Sequence, residues 1–195
     1  MQHKLVFFTG AGISAESGIP TFQSQEGIRE KLERRFCLEH YEEYIENIKS
    51  MKKVMDNAEP NAAHYAIAEM DAPIVTMNID GLHEKSGAKN VLAIHGRMPT
   101  WEEIKSEDLR YKQGCPVLYG DPAPLYADAY ELFENLDYGN SYVVIVGTSF
   151  YTGISEDLYK LANQRAKKVW KINENASIVV PQICEELKGL LKELY

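Results

Sequence analysis

The chain has little sulfur chemistry to work with. Among its 195 residues there are three cysteines, Cys37, Cys115 and Cys184, widely separated and without a CxxC pair. That count excludes a four-thiolate zinc site, and the scatter argues for reduced thiols rather than a disulfide framework. No apolar run approaches membrane-spanning length, so no membrane association is expected. Positive charge is in deficit: 21 Lys and Arg stand against 29 Asp and Glu, for a net charge of -8. A generic nucleic-acid binder needs the opposite balance, so no nucleic-acid partner is expected. A phosphate site survives that argument, because it can be built locally from backbone dipoles. There is no internal repeat and no low-complexity stretch. Met1-Gln2-His3-Lys4 leads straight into an apolar run with no signal-peptide layout, from which a cytoplasmic location is expected.

What is present begins at the first apolar run. Leu5-Val6-Phe7-Phe8 empties into Thr9-Gly10-Ala11-Gly12-Ile13-Ser14-Ala15-Glu16-Ser17-Gly18-Ile19-Pro20. An aromatic and β-branched run ending on Gly-Ala-Gly reads as a buried strand and a tight turn. The small residues let backbone N–H groups approach a ligand, with the next helix aimed at it. Further strands are expected at 73–76, 91–94, 142–146 and 168–172, where short apolar runs end on Gly, Asn, Asp or His. Between them fall helical patterns at 61–70 (capped by Asn61), 80–86, 125–137, 154–166 and 181–194. Unbroken apolar strands alternating with helices argue an α/β fold, a Rossmann-like doubly wound parallel sheet. The chain is read as one domain, 1–195, with a reduced small lobe from the amphipathic helices of 24–57 and the polar excursion of 97–114.

In such sheets ligands sit at the carboxyl ends of the strands. Gly10 to Ser14, Met77-Asn78-Ile79-Asp80, His95-Gly96 and Gly147-Thr148-Ser149 all occupy that position. Each alone could be an ordinary strand-to-helix turn; together they converge on one edge of one sheet. A basic cluster, Arg29, Lys31, Arg34 and Arg35, is interleaved with Glu26, Glu30 and Glu33. It reads first as a solvated helix face with i,i+4 pairs. A second reading has Arg29 and Arg34 reaching an anionic ligand.

These residues resemble the sirtuin family. Gly10-Ala11-Gly12-Ile13-Ser14 with Gly18-Ile19-Pro20-Thr21-Phe22 is similar to its first motif, and Asn78-Ile79-Asp80-Gly81-Leu82-His83 to its second. Ile94-His95-Gly96 looks like the segment of the catalytic histidine. Pro116-Val117-Leu118-Tyr119-Gly120-Asp121 resembles the peptide-binding loop, with Asp where Glu is usual. Gly147-Thr148-Ser149 matches the ribose loop and Ile172-Asn173-Glu174 the adenosine side. Three departures stand out: Gln23 for Arg, Met77 for Gln, and a stretch between His95 and Pro116 that is much shorter than the usual zinc module and lacks that module's cysteines, so no zinc ribbon and no zinc are expected.

The resemblance implies an NAD-dependent protein-lysine deacylase. The nicotinamide–ribose bond is cleaved, an acyl-lysine oxygen attacks the anomeric carbon, and the acyl group passes to the ribose. His95 is then the base and Asn78 orders the ribose hydroxyls. The single-histidine alternative is a ring packed at a strand end. Gly10, Ala11, Gly12, Ser14, Ala15, Thr21, Phe22, Gln23, Met77, Ile79, Asp80, Gly147, Thr148, Ser149, Asn173 and Glu174 join His95 and Asn78 on the cofactor. Val117, Leu118, Tyr119 and Gly120 meet an acyl-lysine protein or peptide. Asn78 and Asp80 can also cap the helix that follows them, Phe22 can be core, and Glu174 can be a solvated carboxylate. Gln23 carries no charge to match a guanidinium, and Met77 has no hydrogen bond for the ribose. Both imply a slower enzyme. The alternatives are an NAD glycohydrolase or protein ADP-ribosyltransferase on the same scaffold, and a non-catalytic NAD or ADP-ribose binding module.

Overall fold

The computed structural model describes residues 2–21 and 27–192. Five parallel strands form one sheet in the order β3-β2-β1-β4-β5, with β1 Leu5–Thr9, β2 Ile74–Thr76, β3 Val91–Ala93, β4 Tyr142–Val146 and β5 Lys168–Ile172. The fold is a Rossmann-like α/β sheet, and its strand order reverses between β1 and β4. That reversal opens a crevice above the carboxyl ends.

Period-two alternation explains why the central strands are apolar throughout. On β1, Leu5 and Phe7 face one way and join Tyr142, Val144 and Val146 of β4 in a core cluster. This cluster is closed by α3 (Ala62–Glu69) and α8 (Ala176–Lys192). Val6 and Phe8 face the other way with Val143 and Ile145, under α6 (Leu125–Glu134) and α7 (Gly153–Arg165). Both faces are covered, so neither set of side chains can be polar.

A third cluster joins the two segments flagged as a small lobe. Ile28, Leu32, Cys37, Tyr44, Ile45 and Ile48 pack with Met98, Ile104 and Leu109, and with Ile79 and Leu118 from the sheet edge. The helices involved are α1 (Arg34–Glu39), α2 (Tyr41–Asn57) and α5 (Trp101–Ser106).

The helix expected after β1 is of the 3-10 type, Ala11–Ser17, and Gly18 ends it at φ 85°. One boundary differs from the sequence expectation. The last helix begins at Ala176, not near Pro181, which lies inside it. Proline favours the first turn of a helix, which is why the pattern begins at 181. Here burial of Ala176 and Val180 against the sheet extends the helix past it. The short helix α4 is Leu82–Lys85, stopped near Gly87 at φ 92° as expected.

Candidate active site

Strand register sets the geometry. Thr9 pairs with Thr76 and with Val146, Thr76 pairs with Ala93, and Val146 pairs with Ile172. The five strands therefore end level, and the loops that follow rise from one line.

Two of these loops interlock through glycine. Gly12 N–H donates to the Gly147 carbonyl at 2.9 Å. A Cβ on Gly12 would lie 2.6 Å from Gly147 Cα, and one on Gly147 would lie 2.3 Å from Ile13 N. Gly147 is also at φ 65°. These glycines are needed by the meeting of two backbones as well as by any ligand.

Above them lies a cleft of about 250 Å³, whose lining includes Ala11, Gly12, Thr21, Met77, Asn78, His95, Gly147, Thr148, Ser149 and Asn173. The first residues of α7 and its cap, Thr152 and Ser155, line it too. They place a helix N-terminus, with its positive dipole end, at the cleft. A neighbouring groove of about 370 Å³ runs beside Val117, Leu118, Tyr119, Gly120 and Ile79. Met77, His95, Tyr119, Tyr151 and Thr152 line both hollows. A third hollow, about 90 Å³, is bounded by Ala11, Ser14, Asn78, Ile79 and Asp80 and by Met51 and Met55 of α2.

His95 stands where cleft and groove meet. Its Nδ1 is 3.1 Å from the Met77 carbonyl, and its Nε2 is 2.9 Å from the Tyr126 hydroxyl. A carbonyl only accepts, so Nδ1 carries the proton and Nε2 the lone pair. Burial pushes the imidazole below its ordinary value, and the Met77 bond partly offsets that. The ring is a neutral base.

Asn78 and Asp80 are ordered by Ser14. The Ser14 hydroxyl donates to Asp80 Oδ2 at 2.7 Å and accepts from Asn78 Nδ2 at 3.1 Å. Asp80 Oδ1 also accepts from Leu82 N–H at 2.9 Å, which is the capping role. Ser14 was expected to bond a phosphate or ribose oxygen. Its single proton is committed to Asp80 and the residue is fully buried. Behind it, His64 of α3 closes a capping box with Asn61 and reaches Ser14 through Nε2 at 3.5 Å. The capping bond occupies Nδ1, so Nε2 holds the proton. His83 bonds Thr9 at 2.9 Å, and Thr9 donates on to Thr76 at 2.8 Å. Burial lowers His64 to about 4 and His83 to about 3.

Not every expected residue reaches the cleft. Gly10 is buried beneath it, where a Cβ would meet the Gly147 carbonyl at 2.8 Å. Ala15 and Glu174 are exposed and line none of the three hollows. Ile79 and Asp80 border the neighbouring hollows instead. Phe22 and Gln23 lie outside the described residues, as does Glu26 of the basic cluster.

That cluster is not one solvated face. Arg34 is held by Asp121 through two bonds of 2.6 Å and by the Arg110 carbonyl, also 2.6 Å. Asp121 also accepts from Leu118 N–H at 3.1 Å, so the pair ties the 118–121 loop to α1. Arg35 pairs with Glu39 in solvent. Arg29 turns into the cleft, with its guanidinium 3.6 Å from the Tyr151 ring centroid and a buried Nε that has no hydrogen-bond partner among the described residues. Helical periodicity could not separate these cases. Tyr126 and Tyr151 carried no motif at all, whereas His64 could have been found from its place three residues after the Asn61 cap.

Among the described residues no group of three or more His, Cys, Asp or Glu side chains gathers to hold a metal ion. No described helix is long and apolar enough to cross a membrane.

Comparison with known proteins agrees with this architecture. Residues 10–113 match the model of the Sir2 family. A protein named NAD-dependent protein deacetylase from Clostridium tetani is 40% identical over 97% of this chain and 93% of its own length. NAD-dependent protein deacylase 2 of Archaeoglobus fulgidus is 30% identical over 96% and 92% respectively. These alignments span 240 and 244 positions against 195 residues here, so the relatives carry insertions that this chain lacks. A solved Sir2 enzyme structure shares 30% identity and a TM-score of 0.78, covering 96% of this chain and 94% of that one. A Sir2 homologue solved with ADP-ribose has a TM-score of 0.80 at 24% identity, with 96% and 93% covered, and supports the fold alone.

Proposed function

The chain belongs to the Sir2 family, the sirtuins, and from that premise we propose that it is an NAD-dependent protein-lysine deacylase, releasing nicotinamide and O-acyl-ADP-ribose. The observation that carries the reading is the place of His95. A neutral imidazole stands at the junction of a cleft suited to a dinucleotide and a groove suited to an extended acyl-lysine peptide.

The residues fit NAD on their own chemistry. The interlocked Gly12 and Gly147 leave backbone where a Cβ would intrude. The α7 N-terminus and the unpartnered Arg29 Nε offer positive charge to a pyrophosphate. Ala11, Gly12, Thr148 and Ser149 would line its phosphates and ribose, and Asn173 its adenosine side. The small hollow beside Asp80 and Ile79 would take the carboxamide. When bound, NAD supplies a ribose whose anomeric carbon can exchange nicotinamide for an acyl oxygen. The chain then has three tasks. Asn78, fixed by Ser14, orders a ribose hydroxyl. His95 Nε2 removes its proton, worth about 10²–10⁴-fold for a positioned base. The loop 117–120, tied down through Asp121 and Arg34, holds the acyl-lysine.

The same reading contains no zinc. Three separate buried cysteines, each thiol raised by burial, and a chain shorter than its relatives support it. Elemental analysis of the purified protein tests this: one zinc per chain would refute it.

The activity is tested by products. Incubation with NAD and an acetyl-lysine peptide is expected to give O-acetyl-ADP-ribose only when peptide is present. Free ADP-ribose without peptide would indicate a glycohydrolase. A modified protein would indicate ADP-ribosyl transfer, and binding without turnover would indicate a binding module.

A further inference from the structure

The base of this site is not free. Nδ1 of His95 spends its proton on the Met77 carbonyl, which leaves Nε2 as the ring's one acceptor. That nitrogen accepts from Tyr126 at 2.9 Å. Burial raises the Tyr126 phenol, which keeps its proton at neutral pH. One lone pair takes one proton, so a sugar hydroxyl in the cleft cannot use Nε2 while Tyr126 does. Tyr126 lines the substrate groove and is not among the residues lining the cofactor cleft, whereas His95 lines both. Tyr126 therefore meets what fills the groove rather than the sugar.

We propose that the Tyr126 hydroxyl is a latch on the base, holding Nε2 of His95 until a substrate in the groove draws Tyr126 aside. Tyr126 is then a positioning residue. It fixes the ring's orientation and the Nδ1–H form before substrate arrives, and it couples release of the base to occupancy of the groove by an extended peptide with an apolar acyl-lysine. The nature of that occupant rests on the deacylase reading; the contact itself does not.

The test uses the full chain, labelled with ¹⁵N-histidine, and the variant Tyr126→Phe. Phenylalanine keeps the ring's packing against the α6–α7 side of the core. The wild type should show His95 with a protonated Nδ1 and an Nε2 resonance displaced by an accepted hydrogen bond. In Y126F that resonance should move to the position of an unbonded nitrogen, and saturating acetyl-lysine peptide should move it in the wild type. An Nε2 resonance that ignores both changes overturns the latch. In steady state, Y126F should lower the peptide KM by about fivefold, the worth of one net hydrogen bond near 1 kcal/mol. A tenfold fall in kcat with KM unchanged overturns the latch, because the hydroxyl would then take part in the chemistry. If the Y126F shift and the peptide-induced shift are both seen, yet the wild type turns over no peptide, the latch stands and the deacylase reading fails.

Discussion

At the scale of single residues, the site is built from bonds that decide protonation. His95 is pushed below the ordinary imidazole value by burial. A group lowered in this way stays a base to more acidic pH. The acidic limb of kcat/KM for peptide should therefore fall below about pH 6.5, and a limb above that value would contradict the burial argument. His95→Ala should cost at least about a hundredfold in turnover. Arg29 is the second test. Arg29→Gln should weaken ADP-ribose binding by about tenfold by calorimetry, since a hydrogen bond to a charged group is worth ~1.5–3 kcal/mol, while Arg29→Lys should keep part of the affinity. Unchanged affinity in both variants would remove Arg29 from the cofactor site. His95 was legible in the chain because it follows a buried-type strand within Ile-His-Gly. Its partner Tyr126 was not, because the bond joins residues 31 positions apart and no local pattern records it. Ser14 was legible as a site residue from its place after Gly-Ala-Gly-Ile, but its bonds to Asn78 and Asp80 were not, because they join positions 64 and 66 residues apart.

At the scale of elements, the two glycine loops bear the most weight. The Gly147 backbone sits against Gly12 and Ile13 so closely that any side chain must push the loops apart. Gly147→Ala should cost about 1–3 kcal/mol of stability, the usual range for overpacking and for a strained backbone angle. It should also abolish ADP-ribose binding, read by urea denaturation and calorimetry on the same sample. A stable variant that binds normally would show that the close approach is not required. The buried strands were legible because both faces are covered, so their apolar runs are continuous. The basic stretch from Arg29 to Arg35 was not, because its three arginine roles depend on Tyr151, on Asp121 and on Glu39, two of them far away in sequence.

At the scale of the whole molecule, level strand ends and the reversal between β1 and β4 bring five separate loops to one crevice. The parallel sheet and a ligand edge at its carboxyl ends followed from the alternation of strands and helices; the strand order, and with it the point of reversal, did not. The polar network beneath it did not, because it needs α3 and α4 to be packed first. That network makes the protein sensitive to acid. His64 and His83 are held neutral when folded, at about 4 and about 3, and titrate near 6.5 when unfolded. The unfolded chain binds protons first. The stabilisation is thus complete above pH 6.5 and is lost as pH falls, through about 4 for His64 and about 3 for His83. Between pH 7 and 5.5 each histidine should withdraw about 1 kcal/mol by linkage. Urea denaturation across that range should show the loss, and His64→Gln should remove about half of it; a flat wild-type profile would contradict the neutral assignment.

All these scales meet in one distance. A crystal structure of the chain with ADP-ribose in the cleft and an acetyl-lysine peptide in the groove should place the pyrophosphate beside Gly12, Ser149 and Arg29, and a ribose hydroxyl within hydrogen-bonding reach of His95. ADP-ribose seated elsewhere, or a ribose turned away from His95, would contradict the account.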